Sequence, residues 1–283
     1  MDVYQMVKKG KHTMPELEEI IDASGELRRL GSLVPEQKNL LGAPAFSSQF
    51  PTWEDADIRK AVKDPNRKPS RVMFPSKKWI HNQGSFGSCN GWATAGTGAR
   101  ARYRRGIMDE MQFSGSFIYA AINGGRDSGS LLSEGMKQAT KGMCPIEFNA
   151  VNQIFSHQIS QTARQAALKH KALLETAFHI ETLQELKTGL AMGFQANIAV
   201  QAGRNFSRIN DKGIAGGDGG NGNHSVLTDD LILDGSRFLF DMSNSWGLNY
   251  GDEGRAYLTD DHLSQTIKIH DFFFLVDVVE DDK

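Results

Sequence analysis

Asn82-Gln-Gly-Ser-Phe-Gly-Ser-Cys-Asn-Gly-Trp-Ala93 sets a cysteine where a flexible Gly/Ser turn gives way to a helix. From Cys89 to about Arg105 the chain reads as that helix, with Trp92, Ala95, Ala99 and Tyr103 on one side. Gly96 and Gly98 weaken it by up to ~1 kcal/mol each relative to alanine, which predicts close packing of a neighbour. A helix N-terminus offers free N–H groups and a partial positive charge, and both favour thiolate over thiol. The thiolate is the nucleophile, so the placement suits covalent catalysis. Gln83, shortly upstream, is able to aim its amide N–H at the same spot as the Cys89 backbone N–H, and two such donors make an oxyanion hole. Taken alone, the stretch also fits a small buried cysteine in a helix.

The rest of the set lies far downstream. His224 stands at the start of an apolar run that follows the glycine-rich loop 213–222. Ser243-Asn244-Ser-Trp-Gly247 closes the next apolar run and places Asn244 one run beyond His224. A nucleophilic cysteine needs a base that stabilises the thiolate as an imidazolium, and the base needs an orienting acceptor. A single histidine is usually a surface or core residue, and a single asparagine in a turn is usually only a turn. Cysteine, histidine and asparagine together, in that order, are much harder to dismiss.

Around this set the chain divides unevenly. Residues 1–70 hold six of the eight prolines and four of the 29 glycines, and Lys63-Asp-Pro-Asn-Arg-Lys-Pro69 breaks regular structure, which predicts a boundary near residue 70. Within that leader, Thr13-Met-Pro-Glu16 reads as a capping box, followed by Leu17, Ile20, Ile21, Leu27 and Leu30 at helical spacing. A second short helix is expected from Thr52-Trp-Glu-Asp55. Further helices are expected over 131–141, 160–177 and 182–192. Period-two or continuous apolar runs follow at 197–201, 225–233, 238–242, 255–258 and 272–279. Helices first and strands later predict an α+β architecture with two lobes.

Composition narrows the function classes. Thirty-two basic against 34 acidic residues give a net charge of −2, which supplies no argument for nucleic acid or an anionic membrane as partner. No run approaches the ~18–20 apolar residues of a membrane span, and no secretory signal is visible at the N-terminus. Two cysteines, Cys89 and Cys144, exclude a disulfide-built scaffold. Gly217-Asp-Gly-Gly-Asn-Gly222 fits G-x-G-x-x-G, but a strand follows where a dinucleotide site needs a helix. Arg100-Ala-Arg-Tyr-Arg-Arg105 reads as the solvated end of a helix, favoured by its dipole, ahead of a nucleic-acid patch. His157, His170 and His179 sit in the polar helical region without metal-ligand spacing. Cys144 reads as a buried structural thiol. With no G-x-S-x-G elbow, a serine hydrolase has no obvious nucleophile.

With these residues in place, the sequence resembles the papain-like (C1 family) cysteine peptidases. Gln83-Gly-Ser-Phe-Gly-Ser-Cys89 matches the family's nucleophile stretch. In family order there follow Asn123-Gly-Gly125, Gly142-Met-Cys-Pro145, Val200-Gln-Ala-Gly203, Asn223-His-Ser-Val226 and Asn244-Ser-Trp-Gly247, with Gly251-Asp-Glu-Gly-Arg-Ala-Tyr257. The resemblance covers about residues 72–283 and implies a helical lobe and a β-barrel-like lobe, with the active site in the cleft between them. It implies Cys89 as nucleophile, His224 as general acid/base, Asn244 holding the imidazole, and Gln83 with the Cys89 N–H binding the oxyanion. Trp246 would shield the Asn–His bond. Gly124 and Gly125 would pair with substrate backbone, Asn223 and Ala199 would line the substrate site, and no metal or organic cofactor is needed.

Departures from the family are specific. Phe86 and Ile122 replace two cysteines that many relatives bridge, which fits a reducing compartment and predicts a cytoplasmic protein or a virus-encoded one made there. Asn90 replaces the aromatic residue that usually follows the nucleophile. Residues 1–70 sit where the family carries an inhibitory propeptide, without its usual pattern, and intramolecular inhibition by them is an open hypothesis; residues 71–283 would be the peptidase domain. The expected function is a cysteine-type peptidase acting on peptide or protein substrates through an acyl-enzyme. Two alternatives stay open, a non-catalytic peptide-binding module and a thiol-dependent transpeptidase or acyltransferase. Residues 1–70 as an anchor to a larger assembly is a third.

Overall fold

The computed structural model describes residues 17–75, 77–107 and 109–280. In chain order its strands are β1 (Glu18–Ile21), β2 (Leu27–Leu30), β3 (His170–Ala172), β4 (Ala177–Ile180), β5 (Ala196–Val200), β6 (His224–Asp234), β7 (Arg237–Ser243), β8 (Arg255–Leu258), β9 (Phe272–Leu275) and β10 (Val278–Glu280). The helices are α1 (Asp55–Val62), α2 (Ser70–Met73), α3 (Cys89–Arg104), α4 (Gly115–Ile122), α5 (Leu132–Lys141), α6 (Gln161–Ala167), α7 (Leu183–Ala191), α8 (Arg204–Ser207) and α9 (Asp260–Ile269).

The apolar runs of the C-terminal half become one antiparallel sheet of order β4-β9-β5-β6-β7-β8. β4 and β8 remain its edges, so among the described residues the second lobe is an open sheet rather than a closed barrel. Its core includes Ile198, Phe240, Leu258 and Phe272–Phe274. A second core, built on Trp79, Ala95, Ala99, Phe113, Ile118 and Met143, belongs to the helical lobe. Between them runs α3, buried over almost its whole length. That explains its alanine and glycine content: a Cβ on Gly98 would meet Met143 Sδ at 2.5 Å, and one on Gly96 would meet Leu227 at 3.0 Å.

Several expectations are corrected. Residues 17–30 are a hairpin, β1 against β2, and not a helix. The Asp22 carboxylate accepts from the Ser24 and Glu26 N–H groups at 2.9 and 3.0 Å, Gly25 takes φ +85°, and the β-branched pair Ile20-Ile21 favours strand. The capping box at Thr13–Glu16 lies outside the described residues. The helix expected over 160–177 stops at Ala167, because β10 recruits His170–Ala172 as an antiparallel partner. His170 and His179 therefore sit in strands and are buried, His179 against Asp271 at 3.1 Å. Arg100 and Arg102 do not end a solvated helix. Arg100 is fully buried, ion-paired with Asp229 and packed over the Phe74 and Trp79 rings, and Arg102 pairs with Asp109 and Glu280. A buried guanidinium is tolerated only with such partners. Within the leader, α1 forms as expected. Phe46 and Ile58 are wholly buried in the same core as the sheet, and Phe50 packs on Phe46, Phe178 and Phe194.

Candidate active site

Cys89 opens α3 directly after the turn that ends at Ser88, and it is completely buried. Backbone N–H groups of Ser225, of Gly31 of the leader, of Asn90 and of Cys89 itself lie near enough to the thiol to favour its ionised form, against the effect of burial. His224 is the first residue of β6, paired in register with Val200, and the β6–β7 pairing sets Leu227 opposite Ser243. One residue past Ser243, the Asn244 Oδ1 accepts from His224 Nε2 at 2.8 Å. This assigns the proton to Nε2 and leaves Nδ1 as the free base, buried and without a partner among the described residues. The two walls thus meet: the strand carrying His224 supplies a donor to the Cys89 thiol.

Aromatic rings seal the histidine–asparagine bond. Trp246 is 1% exposed and its ring lies 4.9 Å from His224. Phe206 packs edge-on to Trp246 at 5.4 Å, and Tyr250 reaches Trp246 at 5.3 Å. Phe206 and Tyr250 were not legible in the sequence as site residues. Tyr250 lies one helical turn's length past Trp246, but Phe206 comes from the short helix α8 with no motif around it.

Gln83 is fully buried and held at both ends. Its Oε1 accepts from Ser245 Oγ at 2.6 Å, and its backbone N–H donates to the Ser245 carbonyl at 2.7 Å. The amide Nε2 is thereby aimed at two carbonyls, Phe86 at 2.6 Å and Arg29 of the leader at 3.2 Å.

The leader crosses this site residue by residue. Ser32 N–H donates to the Asn223 carbonyl at 2.9 Å. Gly31 O accepts from Ser130 N–H at 2.8 Å, and Leu33 N–H donates to Ser130 O at 3.1 Å, a parallel bridge. A Cβ at Gly31 would overlap the Gly87 carbonyl, so only glycine passes there. Arg28 fastens the hairpin: Nε binds Asp22 at 2.7 Å, one terminal nitrogen binds Asn82 Oδ1 at 2.8 Å, and the other binds the Trp246 carbonyl at 2.9 Å. Asn223 Nδ2 also donates to Glu18.

The covered pair is electrically quiet. Burial pushes the Cys89 thiol up, and burial brings His224 down to about 4, with the Arg28 charge adding to the effect against the Asn244 bond. Both shifts favour the uncharged forms of the two groups while the cleft is covered.

The remaining residues expected at the site separate. Ala199 is buried in β5 opposite Ser225, and the Asn223 carbonyl faces the leader. Gly124 and Gly125 lie in an exposed turn after α4 at φ +63° and +83°, and the backbone pairing with the leader comes from Ser130 instead. Cys144 is a buried free thiol, as is Cys89. Phe86 is half-buried, and Ile122 packs against the helical-lobe core. Among the described residues no cluster of three or more His, Cys, Asp and Glu forms a metal site.

No protein-family sequence model matches the chain, and no curated protein matches it. Solved structures do. Xylellain, a cysteine protease from Xylella fastidiosa, superposes with a TM-score of 0.65 at 18% identity, over 92% of this chain and 98% of its own. Procathepsin B S9 from Trypanosoma congolense gives 0.61 at 11% identity, over 86% and 84%. The ragweed pollen allergen Amb a 11, a cysteine protease in its proform, gives 0.58 at 18% identity, over 82% and 72%. The chain has the papain-like cysteine-protease fold.

Proposed function

We propose that this protein is a cysteine peptidase held dormant by its own leader. The observation that carries the reading is the buried His224–Asn244 bond, which frees Nδ1 on the strand whose next N–H meets the Cys89 thiol. Once the cleft is open to water, the thiol proton passes to His224 Nδ1. The thiolate attacks the substrate carbonyl carbon, and the oxyanion takes hydrogen bonds from Gln83 Nε2 and the Cys89 N–H. The imidazolium proton goes to the leaving amine as the C–N bond breaks, leaving a thioester. A water, deprotonated by His224, then releases the acid, and the proton returns to the thiol. Trp246, Phe206 and Tyr250 keep water from the His224–Asn244 bond, so the imidazole stays oriented.

The leader supports a division of labour within residues 1–70. Residues 17–33 carry the cleft contacts and reach the main core through Leu30, whereas Phe46 and Ile58 are buried in that core with no cleft contact and Phe50 packs against it. The removable part accordingly ends near residue 42, and residues 43–70 stay with the catalytic domain. Ser130, rather than Gly124 or Gly125, is the backbone partner for an extended substrate, and Asn223 supplies the second carbonyl.

The test is covalent labelling. A stoichiometric peptidyl epoxide given to the full chain carrying Arg28→Ala should modify Cys89 and spare Cys144, whose thiol burial pushes up to about 12. The label should vanish on adding His224→Ala. Equal slow labelling of both cysteines, or full labelling without His224, overturns the reading.

A further inference from the structure

The nucleophile stands on a helix of one lobe and its base on a strand of the other, so their separation is an interlobe distance. Hydrogen bonds that start from the very next residue on each side span that gap. Asn90 follows Cys89 and is fully buried with every polar valence used. Its Nδ2 donates to Ser130 Oγ at 3.0 Å and to the Leu131 carbonyl at 2.7 Å; its Oδ1 accepts from Thr94 Oγ1 at 3.2 Å and from Asn197 Nδ2 at 3.0 Å. Asn197, fully buried on β5, accepts at its own Oδ1 from Ser225 Oγ at 2.6 Å. Ser225 follows His224. The chain of contacts therefore runs Cys89–Asn90–Asn197–Ser225–His224, with a branch to Ser130, the residue that pairs with the strand in the cleft.

Other elements make room for it. A Cβ at Gly135 of α5 would lie 2.7 Å from Asn90 Oδ1 and 2.6 Å from Thr94 Oγ1. The helix can sit on this amide only because residue 135 is glycine. The network takes the place of the aromatic residue that related sequences put after the nucleophile. An aromatic ring would fill the space without fixing a direction, whereas hydrogen bonds set both distance and rotation.

We propose that Asn90, Asn197 and Ser225 are positioning residues that fix the Cys89–His224 geometry across the lobe interface. The inference rests on the thiol-peptidase reading above and deepens it. None of the three needs to touch substrate: they act by holding the thiol and the imidazole in ion-pair register once the leader lifts. A misplacement of ~1 Å in such a pair costs about 10²-fold in rate.

Alkylation separates register from access. At pH 9 an ordinary thiol is largely ionised, so the rate of iodoacetamide at Cys89 reads access; at pH 6 only a thiolate stabilised by an imidazolium reacts fast. In the full chain with Arg28→Ala, the ratio of the two rates sets the reference. Adding Asn197→Ala, or Ser225→Ala, which deletes a single oxygen and keeps the fold safer, should lower the pH 6 rate at least tenfold and leave the pH 9 rate within threefold. Ratios within twofold of the reference in a folded Ser225→Ala protein overturn the positioning role while leaving the peptidase reading intact. An ordinary-thiol profile in the reference protein itself overturns both.

Discussion

Arg28→Ala should unlatch the cleft. The guanidinium is 1% exposed and crosses from the hairpin to the papain-like fold through two short charge-assisted bonds, to Asn82 Oδ1 and to the Trp246 carbonyl, and a longer one to the Gly84 carbonyl at 3.3 Å. Bonds of this kind are worth about 1.5–3 kcal/mol each. Even the lower figure for both gives ~3 kcal/mol against the closed state, or roughly 10²-fold in the opening equilibrium. Removing the arginine also takes its cation from the Asp22 carboxylate, which keeps its bonds from Ser24 and Glu26 within the turn. Labelling of Cys89 by iodoacetamide at pH 7 follows the open population when reclosing is fast, so its rate should rise by about that factor. Cys144, buried elsewhere and outside the latch, serves as the control for general loosening. Arg28→Lys keeps the charge but loses the fork, and should fall between. A folded Arg28→Ala protein that labels Cys89 within twofold of the parent rate refutes the latch.

Acid should open the cleft without any mutation. His224 stays neutral down to about 4 when covered, whereas a hydrated histidine protonates near 6.5, so the closed state loses about 3 kcal/mol as pH falls between those values. Hydrogen-exchange protection factors of the β2 amides should drop at least tenfold from pH 7 to pH 4.5, and unchanged protection contradicts the assignment. Deleting residues 1–42 should leave a cooperative thermal transition, whereas deleting 1–70 removes Phe46 and Ile58 from the main core and should abolish it; equal stability of the two truncations rejects the boundary near 42. Phe46→Ala alone should cost about 3–5 kcal/mol in urea unfolding. In the opened enzyme Gln83→Ala should lower kcat by ~10²–10³ with KM within threefold, and a fall confined to KM would remove Gln83 from the oxyanion site.

What the sequence could reveal depended on whether the physical cause was local. Cys89 at a helix start, Gln83 on its turn and Asn244 on a strand end are properties of short stretches, and each stands in the structure where the local pattern puts it. The helix α7 and the strands β5 to β8 were legible for the same reason, through period and caps. The hairpin over 17–30 was not, because apolar residues at near-helical spacing outweighed Asp22 and Gly25. Its strand form depends on a cleft built from Asn82, Ser130, Asn223 and Trp246, all remote from it along the chain. The solvated reading of Arg100 fails because helix sequence says nothing of Asp229, on a strand far downstream, which takes the guanidinium into the core. Asn90 is the instructive case. In the sequence it is only the absence of an expected aromatic ring, and its meaning comes from Asn197 and Ser225, polar residues in strands that alternation alone would mark as ordinary. A buried amide with all its valences filled cannot be swapped for a ring without orphaning its partners, so replacing Asn90 alone leaves Asn197 and the Leu131 carbonyl each short of a bond, and any side chain at residue 135 crowds the same amide.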